Sequence, residues 1–300
     1  MNYMKLLKFG RTSNTFLVAV LSMLIFSCAP KEIVRPAPRP AKIAVVLGAG
    51  ASRGFAHIGV LKILEANKIP IHMIFGTSAG SFVGSLYAYG LSPFEIQKTA
   101  LTIEKGDIVD FTFPDNGFIN GERLEKFINT SVKNTPMEKL RTPFYAVATN
   151  IQSGEATVFS KGNTGMAVRA SCSIPGVFRP VRIADTMYID GGAVSPVAVD
   201  AAKRYGADIV IAVDISADRA PSLPESTIDT ILQAIDIMYS KLSQKQLGNA
   251  DVVIRPKVGY IGSADFEKRH EAVLEGEKAA LEAMPAIQKI LDDLRLENRL

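Results

Sequence analysis

Ser78 stands in Gly76-Thr77-Ser78-Ala79-Gly80, a G-x-S-x-G whose residue types and spacing suit a nucleophilic serine. An apolar stretch, IHMIF, runs directly into Gly76, and an apolar helical pattern begins directly after Ser78. That is the strand, sharp turn and helix of a nucleophile elbow, where small neighbours tolerate a strained turn and the hydroxyl is lifted out of the sheet. The helix N-terminus beneath it favours developing negative charge. A Gly-Ser helix cap without chemistry is the alternative. A serine nucleophile also needs an oxyanion site, and the glycine-rich GAGASRG of residues 48–54 follows a second apolar run, KIAVVL. Its backbone N–H groups can point at an anion, with Arg53 adding positive charge. The segment does not fit a nucleotide loop: the third glycine of G-x-G-x-x-G is displaced by Arg53, and G-K-[ST] is absent.

The base is narrowed by what is missing. The chain has three histidines, His57, His72 and His270. His57 follows the glycine-rich loop, His72 sits in a strand pattern, and His270 lies on a charged helix face, FEKRHEAV. The chain order Ser, Asp, His would require His270. Asp190 instead ends the apolar MYI stretch, immediately before Gly191-Gly192, where backbone can approach closely. Partial desolvation there would raise its pKa toward that of a useful general base, although an Asp before Gly is also an ordinary turn former.

Strands must position these groups. Continuous apolar runs of buried-strand type occur at Lys42 to Leu47 and Ile71 to Phe75, with further strands expected at 144–149, 156–160, 187–189, 209–213 and 252–254. Between them the period changes to that of helices, with Val60, Ile63 and Leu64 on one face, a helix from Ala79 ended by Gly90 before Pro93, and late helices carrying Ile228, Ile231, Leu232 and Ile235, then Ile287, Ile290, Leu291 and Leu294. This alternation predicts one α/β domain over residues 42–300, built on a largely parallel sheet.

In order along the chain, VLGAGASRGFAHIGVL (46–61), GTSAG (76–80), RASCSIPGVFRPV (169–181) and DGG (190–192) together resemble the bacterial patatin-like phospholipases, over about residues 42–280. The resemblance implies a three-layer α/β/α sandwich with a mainly parallel central sheet. It also implies a Ser78–Asp190 dyad and an oxyanion loop at Ala49, Gly50, Ala51, Ser52 and Arg53. The substrate it implies is a phospholipid or lysophospholipid. Gly76 and Gly80 flank the elbow, and Gly191 and Gly192 complete the DGG motif. The chain departs from the family's Gly-Gly-Gly-x-Arg-Gly at Ala49 and Ala51, which keep a donor N–H but are expected to lose access to positive φ. Phe111, Phe113 and Phe118, in a segment broken by Pro114 and Gly117, are candidates to line an acyl entrance. A carboxylesterase or thioesterase of other acyl groups, or a non-enzymatic lipid-binding envelope scaffold, remain alternatives.

The chain has 300 residues, of which 47% are hydrophobic, enough to exclude disorder over most of its length. Residues 1–27 resemble a lipoprotein signal peptide: Lys5, Lys8 and Arg11 precede a 12-residue apolar run too short to span a bilayer, and Ile25-Phe26-Ser27-Cys28 is similar to a bacterial lipobox. Cleavage before Cys28 and its lipidation would anchor the protein in the cell envelope, at the periplasmic face of the outer membrane. Residues 28–41 then form a tether whose four prolines give a reach on the order of 35 Å if extended. Without the signal segment, 31 basic residues face 30 acidic ones, so charge gives no reason to expect a nucleic-acid partner. With Cys28 lipidated, Cys172 has no disulfide partner. No metal-ligand spacing is present, so no metal or cofactor is expected.

Overall fold

The computed structural model describes residues 38–113, 115–216 and 223–300. The expected signal segment, Cys28 and most of the tether therefore lie outside the described residues. Pro40–Leu300 forms one compact unit.

Eight strands form one sheet: β1 (Ile43–Leu47), β2 (Met73–Thr77), β3 (Phe144–Asn150), β4 (Ala156–Phe159), β5 (Val181–Ile183), β6 (Thr186–Asp190), β7 (Ile209–Val213) and β8 (Val252–Ile254). The order β5-β6-β3-β2-β1-β7-β8 has β4 pairing β3 off this line. β3, β2, β1, β7 and β8 are mutually parallel, whereas β4 and β6 run antiparallel to β3. The sheet is thus mixed, with a parallel centre. β1 shows why both faces are covered: Ile43, Val45 and Leu47 enter one hydrophobic cluster, and Ala44 and Val46 enter another. Alternation along a strand sends successive side chains to opposite faces, so a strand apolar throughout needs packing on both.

The larger cluster is closed by α1 (Phe55–Ala66), α2 (Ala79–Tyr89), α3 (Pro93–Thr102), the short α4 (Lys105–Ile108), α5 (Glu122–Ser131) and α6 (Thr164–Ser171). The opposite face carries α7 (Val199–Arg204). Two long helices, α8 (Thr227–Gln246) and α9 (Arg269–Leu296), finish the unit. Three layers result, as the resemblance implies. Helix limits follow local chemistry. Gly90 ends α2 in the left-handed region at φ 113°, and α3 opens on a capping box in which Ser92 and Glu95 satisfy each other's backbone N–H groups, with Pro93 in the first turn. Ile96, Thr99, Ala100 and Ile103 then share one face of α3 and point into a cavity.

Topology brings two chain ends together. β2 and β4 both pair Ala146 and Val147 of β3, so they occupy opposite edges. β4 and β6 both pair Ala148 and Thr149, so β6 lies on the edge of β3 that β2 uses. β2 runs along that edge to Thr77 opposite Val147, and β6 runs the other way to Asp190 opposite Ala148. The C-terminal ends of the two strands therefore meet head to head, and Ser78 and Asp190 are the residues at the meeting point.

α1 is held against α9 by two glycines at backbone contact. A Cβ on Gly59 would stand 2.0 Å from the Val273 carbonyl oxygen, and one on Gly276 would stand 2.0 Å from that of Ala56. Gly276→Val should cost about 1–3 kcal/mol by forcing the helices apart, a fall of several degrees in a thermal melt. An unchanged melting temperature would show that the crossing yields freely.

Candidate active site

Ser78 joins β2 to α2 with φ 54° and ψ −122°, a conformation that L-residues avoid at a cost of order 1–3 kcal/mol. Surrounding contacts hold it there. Its N–H donates to Ser171 Oγ at 3.0 Å, and that hydroxyl donates onward to the Val147 carbonyl at 2.6 Å. Ser81 Oγ and two backbone N–H groups donate to the Ser78 carbonyl. Both flanking glycines are sterically required: a Cβ on Gly76 would meet Ser81 Cα at 2.5 Å, and one on Gly80 would meet the Leu47 carbonyl oxygen at 2.0 Å.

Asp190 is fully buried. Its N–H donates to the Ser173 carbonyl at 2.8 Å, and Thr149 Oγ1 donates to its carbonyl at 2.9 Å. The segment 171–173 thus clamps both residues, Ser78 through the Ser171 side chain and Asp190 through the Ser173 backbone. Carboxylate Oδ1 accepts the Gly192 N–H at 2.7 Å, while Oδ2 has no hydrogen-bond partner of good geometry. Burial pushes the Asp190 pKa up from 3.8 to about 6, against the opposing pull of the Ser78 hydroxyl, the Gly192 N–H and the Tyr239 hydroxyl. Gly191 and Gly192 make this approach possible, since a Cβ would stand 2.1 Å from the Val147 carbonyl oxygen at the first and 2.3 Å from the Tyr239 ring at the second.

The glycine-rich loop is more committed than its sequence suggests. The N–H groups of Ala49, Ser52 and Arg53 donate to the carbonyls of Pro196, Ser263 and Gly50. Among the described residues, the N–H groups of Gly50 and Ala51 have no acceptor. Ala51 adopts φ 49°, so the expectation that alanine gives up positive φ there is overturned: the contacts around the short 3-10 turn Ala51–Gly54 outweigh the penalty on a Cβ. Arg53 is also corrected. Its guanidinium is buried, ion-paired with Asp236 of α8 and donating to the Gly50 carbonyl, so it braces the loop and presents no free charge to an anion.

His57 lies buried behind the loop and donates Nε2–H to the Gly48 carbonyl at 2.8 Å. Desolvation pulls its pKa down to about 4, so it stays neutral and acts as a brace. His72 Nδ1 accepts the Ile43 N–H, and His270 is exposed in the first turn of α9. Sequence reasoning missed Ser171 and Tyr239. The Tyr239 hydroxyl is buried without a partner of good geometry, beside Asp190, and burial together with that carboxylate raises its pKa well above the ordinary value.

Ser78 opens into a cavity of about 350 Å³ whose wall is almost entirely apolar. Among the described residues lining it, Lys105 is the one charged side chain. Phe111 and Phe118 line this cavity as expected, whereas Phe113 stands outside it, 88% exposed. Cys172 is a free thiol in the wall, and burial and the nearby Asp190 push its pKa up, so it is an inert thiol.

The sequence profile described as "Patatin-like phospholipase" matches residues 45–203, more than half of the chain. The chain belongs to the patatin-like phospholipase family. The chain is 35% identical over 189 residues to lysophospholipase nte1 of Aspergillus niger, spanning 60% of this chain and 12% of that protein. It is 37% identical over 187 residues to lysophospholipase NTE1 of Candida glabrata, spanning 60% and 11%. The chain therefore matches only about an eighth of the length of these curated relatives. VipD from Legionella pneumophila shares the patatin-like fold, with TM-score 0.50 at 15% identity, covering 84% of this chain and 67% of that one.

The raised Asp190 pKa is also a stability statement. A carboxyl whose pKa rises on folding favours the native state fully below its unfolded value of 3.8, and that contribution is lost as pH rises through about 6. The span corresponds to on the order of 3 kcal/mol at pH 8. Asp190→Asn, neutral at every pH, should therefore be more stable than the parent at pH 8 and close to it at pH 4, read from denaturant melts at both. An equal gain at the two pH values would show that the buried charge is not its source.

Proposed function

We propose that this chain is a serine acyl-ester hydrolase acting on phospholipids or lysophospholipids, with Ser78 as nucleophile and Asp190 as general base. One observation carries the reading: a strained serine at the floor of an apolar cavity sits beside a buried carboxylate that keeps one oxygen uncommitted. Ser78 Oγ attacks the ester carbonyl while Asp190 Oδ2 takes its proton. The oxyanion forms against the N–H groups of Gly50 and Ala51, which are fixed before the reaction and need no reorganisation. Asp190 returns that proton to the departing oxygen, so the alcohol leaves and an acyl-serine remains, and the regenerated carboxylate then activates water to release the fatty acid. Family membership and the names of the fungal relatives support a lipid ester as substrate, and the cavity's apolar wall suits an acyl chain. The lipobox-like stretch ending at Cys28 supports a form held at a membrane of the cell envelope, and loss of metabolic acyl labelling in Cys28→Ser tests that anchor.

A fluorophosphonate probe should label the purified protein at Ser78 and leave Ser78→Ala unlabelled, with the variant folded. Labelling elsewhere, or none, would remove the hydrolase reading. Asp190→Asn should lower kcat/KM by at least ~10²-fold, while His72→Gln and His270→Gln stay near the parent. Equal loss in a folded His270→Gln would replace the dyad with a triad.

Asp190 must be ionised to act, so activity should fall below about pH 6. The groups facing its carboxyl are the Ser78 and Tyr239 hydroxyls, the Gly192 N–H and the Cys172 thiol, with Asp236 one turn from Tyr239 and already paired to Arg53. The Tyr239 hydroxyl favours the carboxylate, so Tyr239→Phe should move the acid limb of the kcat/KM profile to higher pH. A limb that stays in place would show that Tyr239 serves packing alone.

A further inference from the structure

Beside the mouth of the apolar cavity lies a second cleft of about 330 Å³, lined by Lys105, Gly106, Val109, Asp110, Phe111 and Arg123. Lys105, Val109 and Phe111 line both spaces, so the two are adjacent. The cleft differs from the cavity in kind. It holds two cations, and neither is paired: Lys105 Nζ makes no hydrogen bond or ion pair among the described residues and lies 5.8 Å from the centre of the Phe266 ring. The Arg123 guanidinium donates once, to the Gly106 carbonyl at 2.6 Å, which holds it near Lys105 and leaves its other donors free.

Three nearby carboxylates already have partners. Asp110 Oδ1 accepts the Gly121 N–H at 2.7 Å, and Oδ2 accepts those of Glu122 and Arg123 at the start of α5. Asp107 accepts the Glu104 N–H at 2.9 Å, and Asp115 is paired with Arg179. Two cations without an ion pair facing one cleft, with Asp107, Asp110 and Asp115 held by backbone N–H groups or by another cation, make a site for a compact anion bearing several oxygens.

We propose that Lys105 and Arg123 bind the phosphate group of the substrate's headgroup. The inference rests on the lipid-ester reading above, and it specifies what that reading leaves open: the cavity at Ser78 admits acyl esters generally, and the cation pair at its mouth selects those that carry a phosphate. Ser78 and Lys105 both line the cavity, which puts the ester site and the ammonium on one shared space. A monoacylglycerol has the chain and ester of a lysophospholipid and offers nothing to the two cations.

Binding of a lysophospholipid and of a monoacylglycerol with the same chain, both below their micellar concentrations, is measured on the full chain carrying Ser78→Ala, so that turnover plays no part. Adding Lys105→Gln and Arg123→Gln together should weaken lysophospholipid binding by at least about tenfold, the scale of one charge-assisted contact, and shift monoacylglycerol binding by much less. Raising the salt concentration should reduce the preference in the parent and not in the double variant. Equal weakening for both ligands, no weakening for either, or no binding of either ligand by the parent would each overturn the inference. Inorganic phosphate distinguishes a headgroup subsite from a site for the free ion. It should displace lysophospholipid only weakly, because the chain supplies most of the binding, and complete competition at low millimolar phosphate would overturn the headgroup assignment. Failure of the hydrolase reading shows itself separately, as a Ser78→Ala chain that binds with this preference while the chain that keeps Ser78 takes no fluorophosphonate there.

Discussion

The meeting of two strand ends on one edge of β3 is the constraint on which the rest of the site depends. β2 and β6 approach each other until the backbone at Gly191 touches that at Val147, with Thr77 alongside, and no side chain larger than hydrogen fits in the gap. Once the strands are placed in this way, Ser78 must leave the sheet in a sharp turn, because the edge ahead is occupied. Gly80 lets the following helix turn back against the Leu47 carbonyl. The strained φ of Ser78 is therefore a consequence of sheet topology, held by Ser171 and Ser81, rather than an independent feature of the motif.

The same crowding sets the electrostatics. A carboxylate at the end of β6 is enclosed by β3, by the 171–173 segment and by α8, and none of these brings a cation to it. Enclosure without a counter-charge raises its pKa; a guanidinium in the same place would lower it and weaken the base. The nearest buried guanidinium, Arg53, is held by Asp236 instead. Removing either partner of that pair would leave an uncompensated buried charge, which is destabilising by several kcal/mol in general. The pair thus serves two ends: it anchors the glycine-rich loop to α8, and it keeps Arg53 from acting as a counter-ion for the proposed base.

Much of this was legible in the sequence because it is local. The strand before Gly76, the turn and the helix after Ser78 are contiguous, and seven of the eight strands announce themselves as apolar runs. β5 did not, since Val181–Ile183 is three residues with an exposed arginine at its centre. The parallel centre was readable from alternation with helices, whereas the reversal of β6, which makes the site, depends on pairing that no periodicity records. Tyr239 carries no motif of its own, and Ser171 lies in the RASCSIPGVFRPV segment with nothing local to mark its role; they reach the site from 49 residues after Asp190 and 93 residues after Ser78. Arg53 was misjudged for the same reason. Its residue type suggests an anion site, and its role is fixed by Asp236, 183 residues away.

With Arg53 neutralised, the loop has only the dipoles of its free N–H groups to set against an oxyanion, and this has a consequence for the cavity. A guanidinium open to the cavity would carry water with it, and a hydrated charge at the floor would oppose an apolar chain by far more than any single CH₂ contact favours it. Backbone donors avoid that conflict because they are fixed in place, carry no net charge and leave the surrounding wall apolar. The design tolerates alanine at position 51 on the same ground: the donor survives the substitution, and the positive φ is imposed by the turn. Charge is kept to the mouth, at Lys105, where an ammonium remains solvated while the apolar wall begins directly behind it. An apolar floor separated from a cationic rim would let one cavity take the proposed amphiphile in a single orientation.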